Sequence, residues 1–565
     1  MSPTVDNMSK RGRKVPRLQR TNTQLAAGES SDAPQRILAR TTAGLVAGVR
    51  QTGISPELSV RTWRGVPYGE TTTGERRFAA PRPAKPWPGV RECTEYGEVA
   101  AQPILGPSDR TKGGEDCLHL DVVRPDSDEV LPVVVYFHGG SFMFGSSHEL
   151  LLRGHYLATG MNVVYVSLNF RLGVLGYLDF SSMAAPGDDV VANPAVLDQL
   201  LALRWIQANI AAFGGDPENV TIMGESAGAA AVLTLMCVPA AKGMFHRCIA
   251  QSPPIAMVHS KAQAAFWTAQ LRRRLGLAED ATVAQLREMD QKTLINAGQS
   301  MLWRSRELFM MNSCYGPTVD GKVLFEHPLE VFRKGQQHPV PLLIGTNYDE
   351  ASFAKGFYLR QTARGRAAER MLAAFDPEGA PGVLESYEGA FRRKEFALLI
   401  ADAVFWAPAM VAATYHQLVA NTWMYRFDFA PAVWRWLGLG AMHSMELTPV
   451  FGDLNGSRAS AVHRIGKSET LEKMRELMQG YWGSFIHHGT PGGTWPRYRV
   501  PSEHLPGRAT MVFDREPHIV YDPKSHKRRA WLNYTMTQWG LGRPELLEQF
   551  GELEEQGPKA LPPAP

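Results

Sequence analysis

Residues 220–233 read VTIMGESAGAAAVL, a β-branched run that breaks at Gly224-Glu225-Ser226-Ala227-Gly228 and resumes as an alanine-rich apolar segment. A strand that passes into a helix through Gly-x-Ser-x-Gly predicts a nucleophile elbow, a strained turn that lifts the serine oxygen clear of a sheet. Gly224 and Gly228 are there for space, since a side chain at either position would separate the strand from the helix. Upstream, residues 198–213 carry apolar side chains at helical spacing, and Gly214-Gly215-Asp216-Pro217 supplies a stop and a turn. A glycine-rich turn with a solvated serine shows the same five residues. The order helix, turn, strand, serine, helix favours the elbow and makes Ser226 the candidate nucleophile.

Other β-rich runs lie on either side: 130–137, 162–168, 248–251, 341–344 and 422–427, alternating with longer helical patterns. This alternation predicts a mostly parallel sheet covered by helices on both faces. Ligands bind such sheets outside the carboxyl ends of the strands. The segments that follow these strands, His138-Gly139-Gly140, Asn169-Phe170-Arg171, Ser226, Ser252-Pro253-Pro254 and Gly345-Thr346-Asn347, are therefore expected to meet at one site.

The 565 residues contain no low-complexity linker and no internal repeat, which favours one large core. A formal net charge of +4 is small for this size and implies neither a nucleic-acid groove nor a membrane surface. Much of the basic excess sits in 10–20, within a leader, 1–39, that is expected to be disordered, as is the acidic and proline-rich tail 552–565. The folded domain is placed at 40–551. No apolar run suggests a signal peptide or a membrane span, the longest candidate being the helix behind Ser226, at 227–238. A soluble, cytoplasmic protein is expected, with its five cysteines outside any disulfide scaffold.

A serine hydroxyl needs a base within hydrogen-bond reach, oriented in turn by a carboxylate. Downstream of Ser226 the histidines include His416, His443, His463, His487, His488 and His504. His443 is favoured because it lies a loop beyond the strand at 422–427, after the small residues Gly440 and Ala441. Asp349 and Glu350 follow the strand at 341–344, and either carboxylate would serve. His138-Gly139-Gly140-Ser141-Phe142 directly after a strand offers backbone amides for a developing oxyanion, with the amide of Ala227 as a further donor. Phe142 and Phe144 line an apolar pocket or belong to the core.

These blocks resemble the type-B carboxylesterase and cholinesterase family of α/β-hydrolases, and within it the bacterial carboxylesterase (p-nitrobenzyl esterase-like) branch. The likeness runs from about residue 41 to 534: Arg64-Gly65-Val66-Pro67-Tyr68-Gly69, Arg77-Phe78, Glu115-Asp116-Cys117-Leu118, Asn169-Phe170-Arg171-Leu172-Gly173 and FGGDPENVTIMGESAGA at 213–229. The resemblance implies an α/β-hydrolase fold with large helical insertions over the active site. It places the nucleophile at Ser226, the acid at Glu350 and the base at His443, with oxyanion amides at Gly139, Gly140 and Ala227. It implies a serine carboxylesterase acting on small-molecule esters, without cofactor or metal. A catalytically silent binding protein and an amide or carbamate hydrolase are the alternatives.

Three departures bear on substrate and geometry. Cholinesterases hold choline by cation–π contact with a tryptophan in a disulfide-closed loop, and no tryptophan lies between Cys93 and Cys117. Choline esters are therefore not the expected substrates. Those two cysteines match a family disulfide but are expected to stay mostly reduced. Ser141 stands where many relatives have glycine, and the family's usual glycine before a leucine ahead of Asp-Gln is replaced in Asn193-Pro194-Ala195-Val196-Leu197-Asp198-Gln199. Pocket shape is left to the loops at 257–312 and 353–408.

Overall fold

The β-rich runs become strands because valine, isoleucine and aromatic side chains fill a sheet buried on both faces. The computed structural model describes residues 35–52, 59–104, 109–304, 311–358, 360–454, 468–502, 506–541 and 543–544. Thirteen strands among the described residues form one sheet. In chain order they are β1 (Arg36–Arg40), β2 (Leu45–Gln51), β3 (Val60–Pro67), β4 (Val90–Glu92), β5 (His119–Pro125), β6 (Leu131–Phe137) and β7 (Val164–Leu168). They continue with β8 (Gly215–Glu225), β9 (Arg247–Gln251), β10 (Leu342–Asn347), β11 (Thr422–Phe427), β12 (Ala509–Phe513) and β13 (His518–Tyr521).

The spatial order is β1-β2-β3-β5-β7-β6-β8-β9-β10-β11-β12-β13, with β4 paired to β2. From β7 to β12 every pairing is parallel. The strands on the β1 side and the last strand are antiparallel, so the fold is the expected mostly parallel sheet with antiparallel edges. Register brings the carboxyl ends together: Phe137 lies opposite Gly224, Glu225 opposite Gln251, and Gln251 opposite Gly345.

The helix Pro194–Asn209 and a following turn of 3-10 helix, Ile210–Phe213, precede β8, and the helix Ala227–Leu235 follows it. Both elbow glycines are needed for close approach. A Cβ at Gly224 would collide with the backbone of Gly228, and one at Gly228 with the carbonyl of Phe137. Val196, at the replaced glycine position, is buried inside the first of these helices, and just before it the Asn193 side chain bridges both backbone groups of Thr318 at 2.8 Å.

Several of the blocks that carried the resemblance are buried ion pairs. Arg171 grips Asp198 through Nε and Nη2 at 2.9 and 2.7 Å, while its backbone N–H donates to the same carboxylate at 3.0 Å. Arg77 holds Glu115 in the same two-pronged way. Removing one partner of such a pair strands a buried charge, at a cost of about 3–5 kcal/mol.

Two sequence expectations change. The folded part begins at Arg36 rather than 40, because β1 pairs with β2 from Arg36–Val49 to Arg40–Leu45. It is an edge strand with only Ala39 buried, and its terminal arginines gave it the look of the leader. Residues 1–34 of the leader and the tail 552–565 lie outside the described residues, as do His463 and His504.

The second change concerns long apolar segments. Among the described residues one helix, Arg393–His416, is long and apolar enough to cross a membrane by length and composition. In this fold 78% of its most apolar window is buried inside the molecule, as in a core helix. Asp402 and Pro408 inside it hid its length from a reading of apolar runs. The loop regions flagged for pocket shape are largely helical: Lys261–Arg274, Val283–Glu288 and Gln291–Arg304 in the first, and Gln361–Ala373, Ala380–Glu385 and the start of this long helix in the second. All five cysteines are buried free thiols, Cys93 and Cys117 included.

Candidate active site

Ser226 sits alone between β8 and its helix, at φ 56° and ψ −127°. This left-handed conformation is strained for a residue with a side chain, by roughly 1–3 kcal/mol, and packing on both sides maintains it. The Ser226 amide donates to Gln251 O on the neighbouring strand at 2.9 Å, and Ala230 N donates to its carbonyl at 2.9 Å. Ala227, first in the helix, has an amide that precedes the intrahelical ladder and is free to bind a ligand.

The loop after β6 is strained in the same sense. Gly140, Ser141 and Phe142 have φ of 118°, 54° and 61° in succession. Met143 and Phe144 fold back onto Gly140 O at 2.9 and 3.0 Å. The amides of Gly139, Gly140 and Ser141 have no acceptor among the described residues. Gly139 lies against the elbow, where an added Cβ would stand 3.2 Å from Ser226 Cβ and 2.8 Å from Glu225 Oε2. Next to it His138 is buried, stacks on Phe170 at 4.6 Å, and places Nδ1 2.8 Å from Gly139 O. Burial lowers its pKa to about 4, so it braces the loop as a neutral ring.

Across the sheet ends, Glu350 and His443 meet. Glu350 Oε2 is 2.6 Å from His443 Nδ1, while Oε1 accepts from Ser252 Oγ at 2.5 Å and from Asn347 N at 2.7 Å. The geometry separates the two carboxylates that the sequence left open. Asp349 points to the other side, accepting from Ala441 N at 3.2 Å while its own amide donates to Ala441 O at 3.0 Å. Glu350 holds the imidazole and Asp349 holds the backbone two residues before it.

His443 is set by more groups than its acid. Its Nε2 lies 3.2 Å from Glu225 Oε1, and that oxygen also accepts from Ser444 Oγ at 2.5 Å. Among the described residues Ser226 Oγ has no hydrogen-bond partner, so the imidazole faces Glu225 in this state. The Phe405 ring stacks on the imidazole at 4.4 Å with 29° between planes. Phe405 projects from Asp402–Trp406, a π-helical turn inside the long apolar helix, the kind of irregularity that re-aims a side chain at a site. Asp402 anchors that turn by accepting from Tyr387 Oη at 2.6 Å and Lys524 Nζ at 2.5 Å.

Glu446 completes the cluster, accepting from Asn347 Nδ2 at 2.6 Å and Gln251 Nε2 at 3.2 Å. Burial pushes its pKa up to about 8, helped by the charges of Glu225 and Glu350 and opposed by the Asn347 hydrogen bond and His443. Glu225 is also raised, by burial first, with His443 and the Ser444 hydrogen bond opposing. For His443, burial works against the charged form, but Glu225, Glu350 and Glu446 outweigh it and push the imidazole up to about 10. Three carboxylates therefore hold a proton on or near this ring.

A cavity of about 310 Å³ opens beside these groups, lined by Gly139, Gly140, Glu225, His443 and apolar side chains that include Phe144 and Met445. The two phenylalanines proposed from sequence part company. Phe144 lines the cavity, whereas Phe142 is 3% exposed and packs in the core against Tyr177 at 4.8 Å. Of the other histidines, His416 is buried between Gln337 and Val340 O, and His487 contacts Met161 O. Among the described residues no group of three or more His, Cys, Asp or Glu is arranged to hold a metal.

The sequence pattern of the carboxylesterase family matches residues 35–512. The chain belongs to the carboxylesterase family. It is 33% identical over 500 residues to para-nitrobenzyl esterase of Bacillus subtilis (strain 168), covering 86% of this chain and 96% of that one. It is 32% identical to carboxylesterase 4A of Bos taurus, covering 79% and 87% of the two chains. Among solved structures, a PNB esterase superposes with a TM-score of 0.75 at 32% identity, covering 88% of this chain and 100% of that one. Carboxylesterase EST55 of Geobacillus stearothermophilus gives 0.74 at 31% identity, with 87% and 99% covered. This protein is an α/β-hydrolase and a carboxylic-ester hydrolase.

Sequence reading missed several of the esterase's site groups. Ser252 was in sight as a residue following a strand, and Glu225 lies inside the elbow itself. Ser444 and Glu446 flank His443 without a signal of their own. Phe405 had none, because a π turn inside an apolar helix has no local mark. Ser141 was seen only as a bulkier substitute for glycine, although its free amide points to a role of its own.

Proposed function

We propose that the esterase works through an acyl-enzyme, with Ser226 as nucleophile, His443 as general base and Glu350 as the carboxylate that orients the imidazole. The short Glu350–His443 hydrogen bond, held by Ser252 and Asn347 beside the elbow, is the observation that carries this reading. Glu350 fixes the proton on Nδ1 and leaves Nε2 to take the Ser226 proton. For that transfer Nε2 turns from Glu225 to Ser226 Oγ, a tightening that substrate often brings to such sites.

Attack on the ester carbonyl forms a bond from Ser226 Oγ to carbon and moves a charge onto oxygen. The unpaired amides of Gly139, Gly140, Ser141 and Ala227 supply the donors for that oxygen, each worth about 3 kcal/mol in the transition state. His443 returns its proton to the departing alcohol. Water then attacks the acyl carbon with His443 again as base, releasing the acid and restoring Ser226.

Labelling with a fluorophosphonate, followed by peptide mass spectrometry and a p-nitrophenyl ester assay, tests the assignment. Stoichiometric label on Ser226 that abolishes turnover is expected. Turnover that survives full labelling of Ser226, or label on another residue, overturns it.

A further inference from the structure

We propose that Asp402 and Lys524 are positioning residues for His443: their buried ion pair holds the π-helical turn that lays Phe405 on the imidazole. The inference rests on the assignment of Ser226 and His443 above and adds a distant helix to the machinery that serves them.

Glu350 meets the imidazole at Nδ1, 2.6 Å away, an edge contact that fixes where one nitrogen points and leaves the ring able to roll about that bond. Phe405 meets it on a face, with ring centres 4.4 Å apart and 29° between planes. A face contact sets the tilt of the ring. Tilt matters here because Nε2 has to swing from Glu225 to Ser226 Oγ without the loss of Glu350. An aromatic face also attracts a cation, so the same contact favours the imidazolium that forms when Ser226 gives up its proton.

The turn that presents Phe405 needs support. At Asp402–Trp406 the Ala407 amide donates to Asp402 O, five residues back, so the turn holds one residue more than an α-helical one. Its last two side chains part: Phe405 lies on His443, and Trp406 lies under Lys524 Nζ, 4.7 Å from the centre of its ring. Such turns are rare in helices, and tertiary contacts must hold them. Here the contacts converge on Asp402, 1% exposed, which accepts from Lys524 Nζ at 2.5 Å and from Tyr387 Oη at 2.6 Å.

Both partners lead to one helix. Lys524 is the N-cap of Ser525–Leu532, and Trp531 of that helix donates through Nε1 to Tyr387 Oη at 2.9 Å. Lys527, its next lysine, is turned to Glu395 at 3.8 Å and to the Tyr387 ring at 3.9 Å, so it does not stand in for Lys524. Without Lys524 the Asp402 charge is left buried with a neutral partner, a state the turn escapes by shifting toward water. Phe405, three residues along the same turn, shifts with it.

The test measures kcat and KM for p-nitrophenyl acetate across pH, per active site titrated with a fluorophosphonate. Phe405→Leu should lower kcat about tenfold with KM little changed, the effect of a partly desolvated cation–π contact. Phe405→Tyr keeps the aromatic face and should recover most of the loss. Glu225, Glu350 and Glu446 still face the imidazole in both variants and hold its pKa up. Loss of the aromatic face alone should therefore move the ascending limb of the pH profile of Phe405→Leu modestly, to lower pH. Lys524→Met should reproduce this pattern with a smaller loss, and Lys524→Arg should restore it. Together, Phe405→Leu and Lys524→Met should lose no more than Phe405→Leu alone, since one acts through the other. Losses that multiply in the double variant, or a Phe405→Leu kcat within about twofold of wild type, overturn the inference. A loss confined to KM makes Phe405 a wall for substrate and overturns it as well. Should Lys524→Met fail to fold, Asp402→Asn takes its place in the same cycle with the same expectations. Wild-type label on a residue other than Ser226 instead overturns the assignment on which the inference rests.

Discussion

The two halves of the candidate site are built in opposite ways. The elbow is local: five consecutive residues, two of them glycines fixed by backbone contact, set Ser226 between a strand and its own next helix. The His443 half is assembled from distant segments. Its imidazole is held by Glu350 from the end of β10, Glu225 from the end of β8 and Phe405 from a π turn in the long buried helix. Behind these stand Ser252, Asn347 and Asp349, none of which touches the ring. A nucleophile can be positioned by the turn that contains it, because one peptide geometry exposes one atom. A base whose charge must be tuned needs partners on several sides, and only packing of the whole sheet end supplies them.

The largest effect expected is on the local half. Ser226→Ala removes the proposed nucleophile, and kcat on a p-nitrophenyl ester should fall on the order of 10⁶-fold while folding, read by circular dichroism, is kept. A fall of less than a hundredfold would place the nucleophile elsewhere. In the dispersed half, Glu350→Gln should cost about 10⁴-fold in kcat, because an amide stabilises the wrong imidazole tautomer and no longer balances the imidazolium. A variant within tenfold of wild type would show that Glu225 can take over the role, and the two halves would then be less different than they look.

Asp349 sharpens the comparison, since it acts only through the backbone that carries His443. Asp349→Ala should lower kcat roughly tenfold with KM unchanged, the size of effect expected when a reacting group is slightly misplaced. Asp349→Asn keeps an acceptor for Ala441 N and should recover most of the activity. Equal losses in both variants would point to the carboxylate charge instead of the loop.

The smallest effect is a displaced pH profile. In its proposed role as base His443 must first lose its proton, and surrounding carboxylates raise its pKa to about 10. Activity on a neutral ester should therefore climb with pH beyond the range of an ordinary histidine. Glu446→Gln removes one of those negative charges, lowers the imidazole pKa and moves the ascending limb to lower pH. A limb that stays in place or moves to higher pH would mean that Glu446 already carries its proton or that another group controls the profile.

How much was legible in the sequence follows the same division. The parallel strands at 130–137 and 422–427, the elbow and the glycine loop after His138 were readable because each depends on neighbours along the chain. Chain order alone left Asp349 and Glu350 equivalent, and resemblance to a family chose Glu350 before any distance was known. The difference between them is one of direction: adjacent residues in a turn face opposite sides, one to the ring and one to the loop behind it. β1 was taken for leader because an edge strand buries a single residue, Ala39, and so shows no apolar run.

By itself the sequence determined that a strand passes into a helix through a strained turn at Ser226 and that a glycine loop follows His138, since backbone geometry and glycine placement are local properties. Tertiary structure alone decided that Phe142 belongs to the core and Phe144 to the cavity. It also decided that Phe405 covers the imidazole. The physical reason is range: a turn is fixed by dihedral angles within a few residues, whereas burial, charge and the walls of a cavity depend on which distant segments the sheet brings together.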